Sequence, residues 1–303
     1  MPDSVTTLLC GGYTTAGFLG IGTDSIPTKI SLTNYSATLR NTLIQSQAML
    51  HQALDVNTVK RTKNAFILGV PTITCDISFE VEFSLLNGLF SMLKNKRNDV
   101  LKVKITDKAS GIAWDFDECY LQSFSFGVQQ DTILSANLSL FVQPNTVSYS
   151  YTDRSLIEVG NDTVIPLIQP IPYYSWKVGD IEDIIDFSFS YSQQVTPKYE
   201  CSGDDKALKA PIAEKILFGL PSIEFEYTQL MTKGSIIDLD GDNETRHVNE
   251  AELDIDKLTL EVMGEPLCDL TGLALVESTP NLIGSITSIK KTYTVNGTIS
   301  KAV

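Results

Sequence analysis

The feature that most constrains the fold is a strict alternation of polar and apolar side chains over the twelve residues Thr72–Phe83. Every odd-numbered position is apolar and every even-numbered position is polar. Because successive side chains of a β-strand point to opposite faces, the pattern predicts a strand with one face buried and the other in water.

A second segment, 150 residues further along, has the same pattern. Phe66–Pro71, which precedes the alternation, resembles Ile216–Pro221, and the following residues, Ser222–Tyr227, again alternate. A glycine and a proline fall at matching places in both segments. The glycine suits a bulge or bend and the proline suits the first residue of a strand. The correspondence therefore indicates an internal repeat.

Three further pairs of segments resemble each other in the same chain order. They are Lys29–Thr33 with Asp186–Ser190, Leu101–Ile105 with Leu258–Val262, and Ala136–Leu140 with Val295–Ile299. A repeat unit this long indicates a duplicated domain rather than a solenoid, whose units are shorter. The alternative is that all-β segments resemble one another by composition alone.

The sequence predicts an all-β chain with one or two short helices, built from tandem duplicated barrel or sandwich domains. The predicted parts are an N-terminal arm (1–25), a first β domain (26–147), a linker (148–179) and a second β domain (180–303). The linker is rich in proline and in aromatic residues, so we expect it to be extended and to pack on another part of the chain.

Two segments favour helices. Apolar residues follow a three-to-four-residue spacing through Ser84–Lys96, and basic residues at the end of this segment suit the negative end of the helix dipole. Asn41–Val59 is a weaker candidate for a second helix. In the second unit the stretch that matches the first helix, residues 230–257, is instead predicted to be an acidic loop.

The net charge of −14 is concentrated in the second half of the chain. Residues 1–150 carry 11 basic and 12 acidic side chains, whereas residues 151–303 carry 12 and 25. A protein that grips nucleic acid needs a basic stripe to contact phosphates, so this distribution argues against nucleic-acid binding. No apolar run is long enough to span a bilayer, and we expect no membrane partner.

Five scattered cysteines without a CxxC pair predict free, mostly buried thiols in a reducing cytoplasm. No nucleotide-binding, nucleophile-elbow or metalloprotease motif is present, and neither His51 nor His247 belongs to a nucleophile–base pattern. We therefore expect no catalytic residues, no cofactor and no metal site, and the chain is not predicted to be an enzyme. The acidic loop Asp238–Glu244 departs from the calcium-loop pattern at two positions and is interpreted as a solvated hairpin tip.

One row of acids is a candidate functional feature. Glu250, Glu252, Asp254 and Asp256 alternate with apolar residues. In a strand this spacing places four carboxylates on one face. The row is either an ordinary solvated face or a wall that faces DNA without binding it.

The order of an alternating strand, a short helix, the strand Leu101–Ile105 and a closing hairpin within Phe116–Val142 resembles the tail-tube fold of tailed bacteriophages. The resemblance implies a virion structural protein, made in the host cytoplasm, that forms rings of a tail tube or a tube-like baseplate hub. Duplicated tube domains imply homotrimeric rings with pseudo-sixfold symmetry, and otherwise homohexameric rings. Such rings stack, contact other tail proteins, and let DNA pass without specific binding.

The resemblance also implies a negative channel wall, and makes the acid row a candidate for it. The first unit has no comparable row, and the second has no clear helix. Two alternatives stay open: another virion position, such as a collar or capsid decoration protein, and a carbohydrate-binding β-sandwich of an adhesin. Exposed aromatic side chains within residues 171–176 would support the adhesin.

Overall fold

The computed structural model describes 16 segments of the chain. They are residues 6–7, 15–21, 28–40, 43–45, 66–68, 72–80, 83–95, 97–107, 112–129, 132, 134–151, 171, 175–199, 215–230, 254–283 and 286–300.

These residues form 19 strands and one α-helix, so the chain is an all-β protein, as the sequence predicts. The strands of the first half are β1 (Thr6–Thr7), β2 (Thr15–Ile21), β3 (Thr28–Arg40), β4 (Leu43–Gln45), β5 (Phe66–Leu68), β6 (Thr72–Glu80), β7 (Leu101–Asp107), β8 (Ile112–Gln129), β9 (Ser135–Val142) and β10 (Val147–Tyr151). Those of the second half are β11 (Trp176–Val178), β12 (Ile184–Ser192), β13 (Val195–Lys198), β14 (Lys215–Phe218), β15 (Ser222–Leu230), β16 (Asp254–Val262), β17 (Glu265–Ile283), β18 (Ile286–Val295) and β19 (Ile299–Ser300). The helix is α1 (Phe83–Asn95).

The strands of the first half close into a barrel. Antiparallel pairings run β2–β3–β6–β9–β8–β7, and β7 pairs with β2 again. Closure pairs the strand edges within the barrel, whereas β3 beyond Ser31 and β8 beyond Cys119 extend past it. Where β3 leaves the barrel, the short strands β4 and β5 form a separate two-stranded ribbon.

The second half follows the same pairing order. Its described strands pair in the order β12–β15–β18–β17–β16–β11, and β13 and β14 form a ribbon like that of β4 and β5. The strand after the closing hairpin also pairs alike in both halves, β10 with β8 and β19 with β17. That the halves are copies of one domain stays a prediction.

The pairings correct two of the sequence alignments. Arg40 lies opposite Thr72, and Ser192 lies opposite Ser222, so residues 34–38 of β3, not Lys29–Thr33, occupy the place of Asp186–Ser190. The counterpart of β9 is β18, because both pair with the alternating strand of their half; Val295–Ile299 is not that counterpart. The first alignment is displaced by five residues and the second by six. An even displacement keeps the alternation in phase, and the bulge between Leu32 and Asn34 restores the phase after the odd one.

The two halves share one sheet through an antiparallel pairing of β8 with β12, which we call the internal joint. Seven residue pairs form it, from Ser123 opposite Ser192 to Gln129 opposite Asp186. Just beyond it, the Gln193 backbone N–H donates a hydrogen bond of 2.8 Å to the Gln122 carbonyl. A single 15-stranded sheet results.

An aromatic cluster fills the core beneath the internal joint. The rings of Phe126 and Phe189, opposite each other across the joint, stack at 5.5 Å. Phe90 of α1 contacts Phe124 and both of these rings, with centroid distances of 5.0 to 6.2 Å. Aromatic pairs of this kind stabilise a core beyond the area that they bury. The helix therefore holds both sides of the joint.

The helix predicted over Ser84–Lys96 is confirmed as α1. Its apolar stripe, Leu86, Leu89, Phe90 and Leu93, is buried. The alternating strand before it ends at Glu80 rather than at Phe83, which is the first residue of the helix. The second helix was expected from Asn41, but Leu43–Gln45 is strand β4; residues 46–59 lie outside the described residues.

The predicted linker, 148–179, contains strands at both ends. Val147–Tyr151 pairs with β8, and Trp176–Val178 pairs with β16. An extended segment beside an open strand edge gains a ladder of hydrogen bonds, so these ends join the sheet. The expectation that the linker packs on another part of the chain is confirmed for Trp176, whose ring lies 5.0 Å from that of Phe187 and 5.9 Å from that of Phe126.

Truncating the centre of this cluster should destabilise the protein strongly. Phe189 is fully buried, and we expect Phe189→Ala to lower the free energy of unfolding by about 3–5 kcal/mol, because it removes transfer energy and leaves a cavity. Ser190→Ala, next to it on the solvated face, should change this energy by less than about 0.5 kcal/mol. Urea denaturation followed by fluorescence measures both. Equal effects would contradict the location of the core.

Candidate functional site

The strands next to the internal joint form one broad surface whose solvent side is polar. We define the polar face as the positions opposite the core on the eight successive strands β3, β6, β9, β8, β12, β15, β18 and β17. Their polar members and Gly127 are Asn34, Ser36, Thr38, Arg40; Thr72, Thr74, Asp76, Ser78; Ser135, Asn137, Ser139; Ser123, Ser125, Gly127, Gln129; Asp186, Ser188, Ser190, Ser192; Ser222, Glu224, Glu226, Thr228; Lys290, Thr292, Thr294; and Glu277, Thr279, Asn281. Apolar residues also lie in the same rows, among them Phe141 of β9, opposite Thr74, and Ala274 of β17, opposite Thr294.

Hydroxyl and amide groups link neighbouring strands across the polar face. The Ser78 hydroxyl donates to Asn137 Oδ1 at 2.7 Å, and the Ser139 hydroxyl donates to Asp76 Oδ1 at 2.6 Å. In the second half, the Thr292 hydroxyl donates to Glu226 Oε2 at 3.3 Å. Cross-strand pairs of this kind stabilise a sheet by about 0.2–1 kcal/mol each.

The polar face carries a small negative charge. Its charged residues are the acids Asp76, Asp186, Glu224, Glu226 and Glu277 and the bases Arg40 and Lys290. Lys290 Nζ lies 2.8 Å from Glu226 Oε1, and this hydrogen bond raises the pKa of Lys290. One of the two bases is therefore already paired with a carboxylate.

A shallow depression of about 420 Å³ lies on the polar face at the internal joint. It is lined by Ser125, Phe126, Gly127, Gln129, Thr132, Ser135, Asn137, Ser188, Phe189 and Ser190. None of these side chains titrates near neutral pH, and none is an activated nucleophile. The lining offers hydrogen bonds but no acid–base chemistry.

The predicted acid row is described only in part. Glu250, Glu252 and the loop Asp238–Glu244 lie outside the described residues. Asp254 and Asp256 lie on β16, where the side chain of Asp256 is exposed and Ile255 packs against the core. β16 is separated from the internal joint by three strands, so the structure does not bring these acids to the centre of the polar face.

A glycine ends the regular alternation beside Asp256. Gly272 of β17 has a φ of +64°, a left-handed conformation that favours glycine. Leu270 and Leu273 are three residues apart, so in a regular strand their side chains would point to opposite faces. With Gly272 in this conformation both are buried. Their partners Leu258 and Ile255 face the core in the same way, so the polar positions of β16 do not continue the row beyond Asp256.

Within the described segments, no three side chains of His, Cys, Asp or Glu are grouped so that they could hold a metal ion. His51 and His247 lie outside these segments. The described part of the chain also contains no helix with the length and apolar character needed to cross a bilayer.

The aromatic residues of 171–176 were the feature that would support an adhesin. Tyr173 and Tyr174 lie outside the described residues. The ring of Trp176 is half-buried between Phe126 and Phe187 and does not form a free stacking platform.

Three of the five cysteines are described, and all three are buried free thiols, as the sequence predicts. Burial raises the pKa of Cys75 to about 12, with the neighbouring carboxylate of Asp76 as a smaller cause. Burial likewise raises the pKa of Cys119 and of Cys268. A raised pKa keeps the sulfur protonated, and a protonated thiol is a poor nucleophile. Cys10 and Cys201 lie outside the described residues.

Comparison of the chain with protein-family models and with curated proteins gave no match.

Sequence reasoning missed the polar face, although a signal for it is present. Ser123–Gly127 and Ser188–Ser192 both alternate small polar residues with aromatic rings. These are the two strand segments that meet at the internal joint. The acid row on β16 was predicted from its charges, whereas the surface at the joint is built mainly from uncharged hydroxyl groups.

The thiols provide a test of this description. In a Cys10→Ser, Cys201→Ser variant, we expect Cys75, Cys119 and Cys268 to stay unreactive toward Ellman's reagent at pH 8, because burial holds their pKa values far above this pH. In denaturant all three should react. One equivalent reacting rapidly in the native protein would show that a thiol is accessible and activated.

Proposed function

We propose that this chain is a virion structural protein that forms rings of a phage tail tube or a tube-like hub, with the polar face toward a channel for DNA. The observation that carries the proposal is the internal joint, which merges the two halves into one sheet with a polar surface on one side. A wall of a tube needs such a surface, because a long channel must be wetted along its whole length.

The chemistry of the polar face suits the passage of a polyanion. Phosphate contacts by lysine and arginine supply most of the affinity of proteins for DNA. On the polar face hydroxyl groups predominate, acids outnumber bases, and Lys290 is held by Glu226. Such a wall has little attraction for phosphates, so DNA slides instead of binding.

The arrangement of two similar halves supports a ring. The internal joint defines one rotation between neighbouring halves, and repeating a rotation of this kind closes a ring or extends a helix. Three chains with two halves each give six similar units around the axis. The resemblance of the sequence to tail-tube proteins motivates this number.

The oligomer is tested by size-exclusion chromatography with light scattering, followed by negative-stain microscopy. We expect ring-shaped particles with the mass of three chains, or stacks of such rings, as protein concentration rises. A strict monomer up to millimolar concentration would contradict the proposal. So would a closed dimer related by a twofold axis, because it has no channel.

The channel wall is tested by adding lysine to the polar face. In a Ser135→Lys, Ser190→Lys, Ser222→Lys variant we expect the rings to acquire binding to short duplex DNA, measured by fluorescence anisotropy, because three cations now face the phosphates. The affinity should fall steeply between about 50 and 200 mM salt. The wild-type protein should show no saturable binding.

A matched control adds the same charge away from the polar face. Ser91, Asn98 and Met263 are exposed, and their joint replacement by lysine changes the net charge equally. If this control binds DNA as tightly as the polar-face variant, net charge alone explains the binding, and the polar face is not the channel wall.

A further inference from the structure

Each end of the eight-stranded surface has a strand edge that pairs with no described residue. On β17, residues 277–283 pair with β18 on one side only. On β3, residues 32–40 pair with β6 on one side, and β2 covers only Thr28–Ser31 on the other. Unpaired edges of this length bind another strand unless the protein protects them.

The internal joint shows how these two edges fit together. β17 is the counterpart of β8 in the second half, and β3 is the counterpart of β12 in the first half. The bulges after Leu121 in β8 and after Leu275 in β17 put Glu277 at the place of Ser123. The pairings with β6 and β15 put Arg40 at the place of Ser192.

We propose that Glu277–Ile283 of one chain pairs antiparallel with Asn34–Arg40 of a second copy, in the register of the internal joint. This inference rests on the proposed function, for whose rings it supplies the contact between chains. The contact joins two different edges, so each chain keeps one free edge for a further copy, and assembly continues until a ring closes.

Charge complementarity supports this register, because it sets Arg40 directly opposite Glu277. Both side chains are exposed in the single chain. The hydrogen bond from Gln193 to Gln122 makes these two residues a hydrogen-bonded pair, so the next pair, Ser123 with Ser192, is of the non-hydrogen-bonded type. In that type the side chains approach most closely. The same holds for Arg40 and Glu277, and opposite charges at such positions attract.

Two exposed apolar side chains lie on the same edges. Leu39 is 58% exposed and Val276 is 65% exposed. Leu39 occupies the place of Tyr191, which is buried at the internal joint. Pairing with a second copy therefore gives Leu39 the environment that Tyr191 already has.

Pro280 fits a strand that is an edge until the copies meet. It occupies the place of Phe126, whose backbone N–H faces β12 rather than β9. Its nitrogen therefore faces the free edge, and the ladder with β18 loses no hydrogen bond. In the proposed contact Pro280 has no N–H to donate to the Ala37 carbonyl, so this contact has one ladder hydrogen bond fewer than the internal joint. A proline at this place also discourages indiscriminate strand pairing.

Charge reversal tests the pairing of Arg40 with Glu277. We expect Arg40→Glu or Glu277→Arg alone to weaken self-association by about tenfold or more, because like charges then lie opposite each other. The double reversal should restore association to within about threefold of wild type. As a control, the exposed pair Lys177 and Asp180, 4.0 Å apart and remote from both edges, is reversed in the same way and should have no effect. Sedimentation velocity measures all four.

Cysteine cross-linking tests the register independently of stability. In a Cys10→Ser, Cys201→Ser chain, Thr38→Cys with Thr279→Cys should yield disulfide-linked oligomers. The corresponding internal pair, Ser125→Cys with Ser190→Cys, should cross-link within one chain. Ser36→Cys with Glu277→Cys is four residues out of register, about 13 Å along the strand, and should not cross-link.

The outcomes distinguish the proposed pairing between chains from the formation of a ring. Rings that form without a Thr38–Thr279 cross-link, or a double reversal that associates as weakly as the single reversals, would overturn this pairing and leave the proposed function standing. A wild-type chain that stays monomeric in every experiment would overturn both.

Discussion

The structure depends on the pairing of β8 with β12. Without it, the two halves would be separate sheets, each with an open edge and an incomplete core. With it, the aromatic rings Phe126 and Phe189 stack beneath the sheet, and Phe90 of the helix packs on both. The strand ladder and the aromatic core therefore support each other, and neither half has a complete core alone.

The same pairing determines what the other side of the sheet offers. Because side chains alternate along a strand, a row of aromatic residues facing the core requires a row of other residues facing water. In this chain those residues are mainly serine and threonine, with acids in excess of bases. A weakly negative surface of this kind has little attraction for the phosphates of DNA. This property supports the proposal of a wall along which DNA moves.

The local elements were predictable from the sequence, and the long-range ones were not. The alternation of Thr72–Glu80 and the apolar spacing of α1 are local patterns with one interpretation, and both are confirmed. The place of Asp186–Ser190 was misassigned by five residues, because the bulge between Leu32 and Asn34 gives the segments on both sides of it the same pattern of alternation. The internal joint depends on which edges meet in space, and the serine–aromatic alternation alone does not determine this. Similarly, the acid row was predicted from its charges, although three strands separate Asp256 from the joint.

The central claim is that the two free edges are used in the same manner as the internal joint. Hydrogen exchange of the single chain and of the assembled form, resolved at single amides, tests it most directly. By analogy with Phe187, Phe189 and Tyr191, the amides of Tyr35, Ala37 and Leu39 face the free edge and should become protected on assembly. Those of Ser36 and Thr38, already directed toward β6, should change little. New protection that spares β3 and β17, or falls equally on both sets of amides, would contradict the account.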